Sequence, residues 1–213
     1  DTLEEWAFDP QNEMLYIYAD ERYLPTSTNV RVRVLHRMLS IKYVANVEFR
    51  NINFFGGSLV ASGINILFED CNFAYLHDIT LPGQGCAGLK SGNADFINCK
   101  FSQIPFVYSL KIGGVNSLVE NCLLTNMDWW ANPGGGGPGL GRVCRYVTIE
   151  NSKIGGAGGS SLMEYCRIED YPDRCDCSGI NRGGHGALRS MTRYNWIING
   201  PGANGIRFDG GKT

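Results

Sequence analysis

The sequence predicts an all-β solenoid in which one short coil is repeated along the chain. Three observations support this: a nine-residue pattern recurs, apolar and polar residues alternate within it, and 28 glycines supply the many turns that such a fold needs. The first two copies, Asn-Val-Glu-Phe-Arg-Asn-Ile-Asn-Phe (46–54) and Asn-Ile-Leu-Phe-Glu-Asp-Cys-Asn-Phe (65–73), begin nineteen residues apart. Further copies occupy residues 93–101, 116–124, 146–154 and 160–168, and a weaker one lies at 193–197.

Composition favours one folded domain without an overall charge field. Hydrophobic residues make up 43% of the 213 residues, which is enough to fill a core. The 19 basic and 21 acidic residues leave a net charge of -2, so the overall balance attracts neither nucleic acid nor an anionic membrane.

The two ends predict a trimmed chain. No apolar run approaches the roughly 18 residues of a membrane span, and the first twenty residues do not follow the pattern of a secretion signal. The sequence stops shortly after the strand-like Gly-Ile-Arg-Phe, whereas a solenoid needs a polar cap at each end. We therefore expect further coils beyond residue 213.

The first 43 residues are expected to form strands that lead into the solenoid. Residues 6–18 alternate as two short strands around the turn Asp-Pro-Gln-Asn, which predicts a β-hairpin. Residues 29–35 alternate valine with arginine and predict a half-buried strand, the first of the solenoid. Residues 44–213 are then expected to form the coils of a single parallel β-helix.

Two apolar positions in each coil are predicted to face the interior, because side chains alternate across a strand. The first set is Phe49, Phe68, Phe96, Val119, Ile149 and Met163, and the second is Phe54, Phe73, Phe101, Leu124, Ile154 and Ile168. One interval does not fit, since Ile154 and Ile168 are only 14 residues apart and the others are 19 to 30. Either one of these segments is not a full coil or a short coil is present.

Coils stack about 4.8 Å apart, so residues at one repeat position form a row along the axis. One polar row comprises Asn51, Asp70, Asn98, Asn121 and Asn151. Stacked Asn side chains can donate to one neighbour and accept from the next, which predicts a structural role at a bend, with ligand binding as the alternative.

Cysteines form a second row. Cys71, Cys99, Cys122 and Cys166 share one inward position with Ile52 and Ser152, which predicts buried thiols, with disulfides between neighbouring coils as the alternative. Cys86, Cys144, Cys175 and Cys177 are expected in loops, where disulfides of unassigned pairing would form in an oxidising compartment.

A third row is basic. Leu89-Lys90, Leu110-Lys111, Leu188-Arg189 and Ile206-Arg207 lie in similar sequence contexts, and Leu59-Val60 holds the same place earlier. If the apolar residue of each pair points inward, the basic residue points outward. The row is then either solvated surface charge or a track for a polyanion.

Three passages resemble right-handed parallel β-helix proteins of bacterial carbohydrate metabolism, the group that holds pectate-lyase-like, alginate-lyase-like and chondroitinase-like enzymes. They are Trp-x-x-Asp and Leu-Tyr-x-Tyr within 6–18, Val-Glu-Phe-Arg-Asn-Ile-Asn-Phe-Phe-Gly-Gly at 47–57, and Arg-Tyr-Asn-Trp-Ile-Ile-Asn-Gly-Pro-Gly-Ala-Asn-Gly-Ile-Arg-Phe-Asp-Gly at 193–210. The resemblance implies a right-handed parallel β-helix in a secreted or cell-surface bacterial protein. It also implies binding of an acidic polysaccharide, with cleavage by a lyase or hydrolase left open. The alternative is a non-enzymatic surface, adhesion or fibre-forming protein.

Two long insertions are the expected places for chemistry, because function on a solenoid lies on projecting loops. Residues 125–145 contain Asp128, Trp129 and Trp130 beside a polyglycine run. An exposed indole would offer a flat apolar face to a sugar ring, with the carboxylate close enough for its hydroxyls. The alternative is that the tryptophans cover an open side of the coil.

The second insertion, residues 169–189, is rich in charge. Asp170, Asp173 and Asp176 are candidate ligands for Ca²⁺, the one cofactor that the sequence suggests. His185, between glycines, is a candidate general acid or base, with a surface or packing role as the alternative.

If the lyase chemistry implied by the resemblance applies, Ca²⁺ or arginine must neutralise a uronate carboxylate while a base removes the neighbouring proton. The catalytic candidates are His185, Arg189, Lys111 and Asp170, and the substrate-binding candidates are Trp129, Trp130, Asp128, Lys90 and Arg207. The expected partners are a polysaccharide and, by end-to-end or lateral contact, further copies of the chain.

Overall fold

The computed structural model describes residues 6–17, 26, 37–76, 89–104, 110–114, 116–127, 138–152, 157–158, 160–171, 178–183, 190–200 and 204–209. These residues form strands, turns and bends, without a helix. Accordingly, they include no helical segment with the length and apolarity to cross a bilayer. The chain divides into two compact units, Asp1–Val34 and Leu35–Thr213.

The first unit contains the predicted hairpin. Strands β1 (Trp6–Asp9) and β2 (Met14–Ile17) pair antiparallel, and Asp9 organises the turn between them. Its Oδ1 accepts the Gln11 amide at 2.9 Å and its Oδ2 accepts the Asn12 side-chain amide at 2.8 Å. These bonds, the one from the Asn12 side chain above all, lower the pKa of the Asp9 carboxyl. The predicted strand at 29–35 lies outside the described residues.

The second unit is a parallel β-helix with three faces, as the repeat predicted. Strands β3 (Arg37–Arg50), β5 (Ser58–Glu69) and β7 (Leu89–Ile97) are long because each bends from the first face onto the second. The third face begins with β4 (Asn53–Phe55), β6 (Asn72–Ala74) and β8 (Lys100–Ile104). The remaining strands are β9 (Leu110–Ile112), β12 (Gly139–Leu140), β15 (Ala157–Gly158), β18 (Ser178–Gly183) and β21 (Asn204–Asp209) on the first face; β10 (Leu118–Glu120), β13 (Val143–Arg145), β16 (Leu162–Glu164) and β19 (Met191–Arg193) on the second; and β11 (Leu123–Met127), β14 (Thr148–Glu150), β17 (Arg167–Glu169) and β20 (Trp196–Ile198) on the third.

Seven coils each contribute to all three faces, and β21 begins an eighth. Coil 1 holds β3 and β4, coil 2 β5 and β6, coil 3 β7 and β8, and each later coil takes the next strand of each face. The larger sheet forks at β7: β9 pairs with its start at Leu89 and β10 with its end at Phe96. Every strand pair in this unit is parallel, so each residue lies beside its counterpart in the next coil.

Two of the rows that fill the interior come from the second and third faces. On the second face the row is Phe49, Phe68, Phe96, Val119, Cys144, Met163 and Thr192, and on the third it is Phe54, Phe73, Phe101, Leu124, Ile149, Ile168 and Ile197. The aromatic rings in the first three coils stack face to face, with centroids 4.7 to 4.9 Å apart.

The sequence-based alignment was wrong in coil 5. Ile149 belongs to the third-face row, beside Ile168, and Cys144 takes the place expected for Ile149 on the second face. The interval from Ile149 to Ile168 is nineteen residues, so the coil has ordinary length, and Ile154 lies outside the described residues. The alignment slipped because a tyrosine, Tyr146, stands at the bend where earlier coils have Asn or Asp.

A residue with a left-handed backbone makes each of the two bends that flank the third face. Between the second and third faces these residues are Asn51, Asp70, Asn98, Asn121, Tyr146, Tyr165 and Tyr194, and after the third face they are Gly56, Tyr75, Gln103, Asn126, Asn151, Asp170 and Asn199. Asn151 therefore lies in a different row from the one the sequence predicted. The first set keeps the coils connected: the Asn98 amide donates to the Glu120 carbonyl at 3.0 Å and the Asn121 side chain donates to Asn98 Oδ1 at 2.8 Å. The predicted structural Asn row is thus confirmed in coils 1 to 4.

The left-handed backbone of these bends is energetically unfavourable for tyrosine. The conformation costs an ordinary L-residue about 1–2 kcal/mol, and Asn and Asp tolerate it best. The rings of Tyr146 and Tyr165 stack at 5.3 Å and those of Tyr165 and Tyr194 at 5.1 Å. Each such stack contributes about 0.5–1.5 kcal/mol, so the two stacks offset only part of the cost of three tyrosines. Folding alone does not favour tyrosine over asparagine here.

We expect Phe96→Ala to destabilise the protein by about 3–5 kcal/mol, because it removes a fully buried ring from the stacked core. The matched control is Phe55→Ala, which removes an outward ring that is 44% exposed and should cost less than about 1 kcal/mol. The measurement is the urea midpoint of unfolding by circular dichroism. Equal shifts for the two variants would contradict the assignment of interior and exterior.

Candidate functional site

One outward row on the first face contains three of the four basic residues that the sequence placed in a row. We call it the axial row, and it consists of Ser40, Val60, Lys90, Lys111, Gly139, Gly158, Asn181 and Arg207. None of these eight positions holds an acidic residue. The row therefore carries positive charge on a chain whose net charge is -2.

Lys111 shows why the row faces outward. It is exposed between Leu110 and Ile112, both of which are fully buried. Lys90 lies beside it in register on the neighbouring coil, and parallel strands place such neighbours about 4.8 Å apart. Arg207 is half-buried at the far end of the row. The structure thus confirms that Lys90, Lys111 and Arg207 hold the same position in different coils, as the sequence predicted.

Glycines separate the two lysines from the arginine. At Gly139 an added Cβ would meet no heavy atom of the described residues within 4 Å, and at Gly158 it would meet only the Asn181 carbonyl oxygen at 3.6 Å. Neither glycine has a positive φ, so neither is required by the backbone. Between Lys90 and Arg207 the row consequently has cations at both ends and the two glycines and Asn181 in the middle, and the five steps from Lys90 to Arg207 span about 24 Å.

The structure corrects the row at coil 7. Asn181 lies in register with Arg207, and Ile180 is the inward residue beside it. Ile180-Asn181 therefore holds the place in the row that the sequence gave to Leu188-Arg189. Strand β18 accounts for the difference, because it runs through the segment 169–189 that the sequence treated as an insertion. Strands β12 and β13 similarly shorten the insertion expected at 125–145.

Asp170 has a structural partner. It makes the bend after the third face in coil 6, with a φ of 55°, and its Oδ1 accepts the Asn199 side-chain amide at 3.2 Å. Lys111, by contrast, lies on the first face in coil 4. These two catalytic candidates thus lie on different parts of the coil.

Several predicted site residues lie outside the described part of the chain: Asp128, Trp129, Trp130, Asp173, Asp176, His185 and Arg189. Lys90 is described by its backbone alone. Within the described residues, no cluster of three or more His, Cys, Asp or Glu side chains could hold a metal ion. The Ca²⁺ site at Asp170, Asp173 and Asp176 remains a prediction.

Arg182 is a buried cation that sequence reasoning did not place in the interior. It is 3% exposed, and its guanidinium donates to Thr192 Oγ1 from Nε at 2.9 Å and to the carbonyl of Ser160 from Nη1. Burial lowers the pKa of this guanidinium, and the nearby Cys144 and Cys166 sulfurs act in the opposite direction. The signal was the spacing Ile180-x-Arg182, which puts both residues on one side of a strand.

Five buried thiols lie one per coil in coils 2 to 6 and form a column: Cys71, Cys99, Cys122 and Cys166 share one repeat position, and Cys144 comes from the neighbouring second-face row. All are unbridged, which confirms the predicted buried thiols. Cys144 was wrongly expected in a loop; it lies in β13, with its Sγ 3.7 Å from that of Cys166. Val147 fills the place in coil 5 that the sequence gave to Ser152, as the Arg167 amide bond to the Val147 carbonyl indicates. Cys86, Cys175 and Cys177 lie outside the described residues.

Taken together, the fold defines the class of protein as a parallel β-helix with a short basic row on its first face. No protein family, characterised protein or solved structure matches the chain. The likeness to polysaccharide-active β-helices therefore rests on the quoted residues alone.

We expect Cys99 and Cys144 to resist alkylation in the folded protein at pH 8. The neighbouring Cys122 thiol and then burial raise the pKa of Cys99, and the Cys166 thiol and burial raise that of Cys144. Because the thiolate is the reactive form, both groups should stay unmodified at a pH that ionises an ordinary thiol. Peptide mass mapping after iodoacetamide, with and without urea, checks this at each cysteine. Labelling of Cys99 or Cys144 in the folded protein would contradict the buried column.

Proposed function

We propose that the protein binds an acidic polysaccharide along the axial row of its first face. The observation that carries the proposal is the arrangement of Lys90 and Lys111 at one end and Arg207 at the other, with glycine positions between them. A polymer lying along the row would meet cations at both ends and main chain in the middle.

The glycines support a flat, extended ligand. Side chains at Gly139 and Gly158 would stand in the path of a polymer, and the backbone does not require glycine at either place. Their absence leaves a flat surface on which a sugar ring can lie against the strands. Lysine and arginine bind carboxylates or sulfates through charge-assisted hydrogen bonds.

The charge balance supports a polysaccharide over nucleic acid. Nucleic-acid-binding domains carry a broad basic surface, whereas this chain has a net charge of -2 and three cations along the row. A row of about 24 Å suits a chain of several sugars with spaced charges. The likeness of residues 47–57 and 193–210 to polysaccharide-active β-helices agrees with this choice.

Cleavage is a further step of the proposal, as a lyase or a hydrolase. Lys111 is the one catalytic candidate that lies on the axial row among the described residues. His185 and Arg189 remain candidates from the sequence. Asp170 has a structural role in the bend, so we assign it no catalytic step.

We expect Lys111→Glu to weaken binding of alginate, pectate or chondroitin sulfate by about tenfold or more, since a lost charge-assisted contact is worth about 1.5 kcal/mol. The matched control is Lys100→Glu, which makes the same charge change in an exposed residue on the third face of coil 3. It should leave affinity nearly unchanged. Isothermal titration calorimetry at low and high salt measures both, and salt should weaken the parent's binding. Equal losses in the two variants would mean a non-specific charge effect.

We expect Gly139→Val to weaken binding without loss of stability. A β-branched residue suits a strand better than glycine, so the unfolding midpoint should stay equal or rise. The added methyl groups stand on the axial row and should reduce affinity for the same polysaccharide.

Full affinity in Gly139→Val would place the ligand elsewhere. Absorbance of an unsaturated product tests for lyase activity in the same samples, and release of reducing ends without such a product would instead indicate hydrolysis.

A further inference from the structure

The outward surface of the second face changes character between its upper and lower coils. In coils 4 to 7 three neighbouring rows form what we call the lower patch: Leu118, Val143, Leu162 and Met191; Glu120, Arg145, Glu164 and Arg193; and Asn121, Tyr146, Tyr165 and Tyr194. In coils 1 to 3 the same rows hold Glu48, Leu67 and Asp95; Arg50, Glu69 and Ile97; and Asn51, Asp70 and Asn98. Aliphatic, arginine and tyrosine side chains thus gather in one half of the face, a composition enriched at protein interfaces.

The charges of the lower patch cancel and are already paired along the axis. Arg145 contacts Glu120 Oε2 from Nη2 at 2.9 Å, and Arg193 contacts Glu164 Oε2 from Nη2 at 2.7 Å. Pairs formed before docking reduce the cost of taking these charges out of water. The patch can therefore be covered by a partner without leaving an unpaired charge.

The tyrosines favour a protein partner over a sugar. Tyr146, Tyr165 and Tyr194 are 52%, 48% and 64% exposed, yet their rings cover one another face to face. A sugar stacks on a free aromatic face, which the middle ring, Tyr165, does not offer, and Arg193 lies over the ring of Tyr194. Ring edges and hydroxyls remain, and these suit contacts with other side chains. The left-handed bend alone favours Asn, so the three stacked tyrosines add an aromatic surface that the bend does not require.

We propose that the lower patch binds the lower patch of a second copy of this chain, with the two solenoid axes antiparallel. The charged row reads Glu, Arg, Glu, Arg from coil 4 to coil 7, and the reversed row reads Arg, Glu, Arg, Glu. A two-fold axis parallel to the strands places Glu120 against the partner's Arg193 and Arg145 against the partner's largely buried Glu164. The same axis sets the aliphatic row against itself and Tyr146 against the partner's Tyr165, with Tyr194 facing the partner's Asn121, so the surface is self-complementary.

The size of the patch sets the strength of the contact. Four residues along the strand and four coils along the axis cover about 13 by 19 Å, or about 250 Å² per copy. Stable dimers bury about 800 Å² per partner. The association is therefore weak and reversible, and it is best measured by trapping.

Cross-linking of Leu162→Cys tests the proposal, because Leu162 lies next to the two-fold axis. With a short bis-maleimide the variant should form covalent dimers several-fold more than Leu67→Cys, which places the same thiol in the same outward row of coil 2. The parent chain treated in the same way gives the background from its own cysteines. Dimer yields that do not exceed those of Leu67→Cys at any protein concentration would overturn the proposal.

Tyr165→Asn in the Leu162→Cys background separates binding from folding. Asn121 already makes the same bend with nearly the same φ, so the fold should be kept and the unfolding midpoint should not fall. The dimer yield should drop several-fold toward that of Leu67→Cys. An unchanged yield would overturn the proposal. Binding of the parent chain's lower patch to a different protein, and not to a second copy, would also overturn it.

Discussion

The structure depends on a left-handed residue at each bend that flanks the third face, and between the second and third faces this residue keeps its amide directed at the next coil. Asp70 donates to the Ile97 carbonyl at 3.1 Å, Asn98 to Glu120 at 3.0 Å and Asn121 to Arg145 at 3.1 Å. A bend with an ordinary backbone would turn these donors away from the sheet, and a buried donor without a partner costs about 1–3 kcal/mol. Since every face begins where a bend ends, the bends fix which residues face inward throughout the coil.

The in-register stacking turns single positions into surfaces. An outward position is constrained little by the core, so it can vary from coil to coil, yet its neighbours along the axis are fixed. The axial row and the lower patch both arise in this way, on different faces. The first combines cations with glycines and suits an extended anion; the second combines aliphatic, paired-charge and tyrosine rows and suits a copy of itself. Neither requires a projecting loop.

Much of the fold could be predicted from the sequence, because the Phe and Asn positions repeat with nearly constant chemistry. The alignment was wrong in coil 5 because two repeat positions there hold a different type of residue. Tyr146 stands at the bend in place of Asn, and Cys144 stands in the interior in place of an aromatic residue. Strand β18 was missed because Ser-Gly-Ile-Asn-Arg-Gly shows no apolar alternation, its second inward residue being Arg182. Of the site, the neighbouring Lys90 and Lys111 were predictable from their contexts. The roles of Gly139 and Gly158 in the site were not predictable, because the sequence does not distinguish a glycine that leaves space on a surface from a glycine that makes a turn.

Both proposed surfaces depend on the stacking of coil 5, where the sequence-based alignment and the structure disagreed. Residue-resolved amide hydrogen exchange tests it most directly. The Tyr146 amide donates to the Glu164 carbonyl at 3.3 Å, as the Asn121 amide does to Arg145 at 3.1 Å. We predict that both amides, and that of Asn98, exchange far more slowly than in an unstructured peptide. Exchange of the Tyr146 amide at the peptide rate, with Asn98 and Asn121 protected, would contradict the stacking and, with it, the lower part of both proposed surfaces.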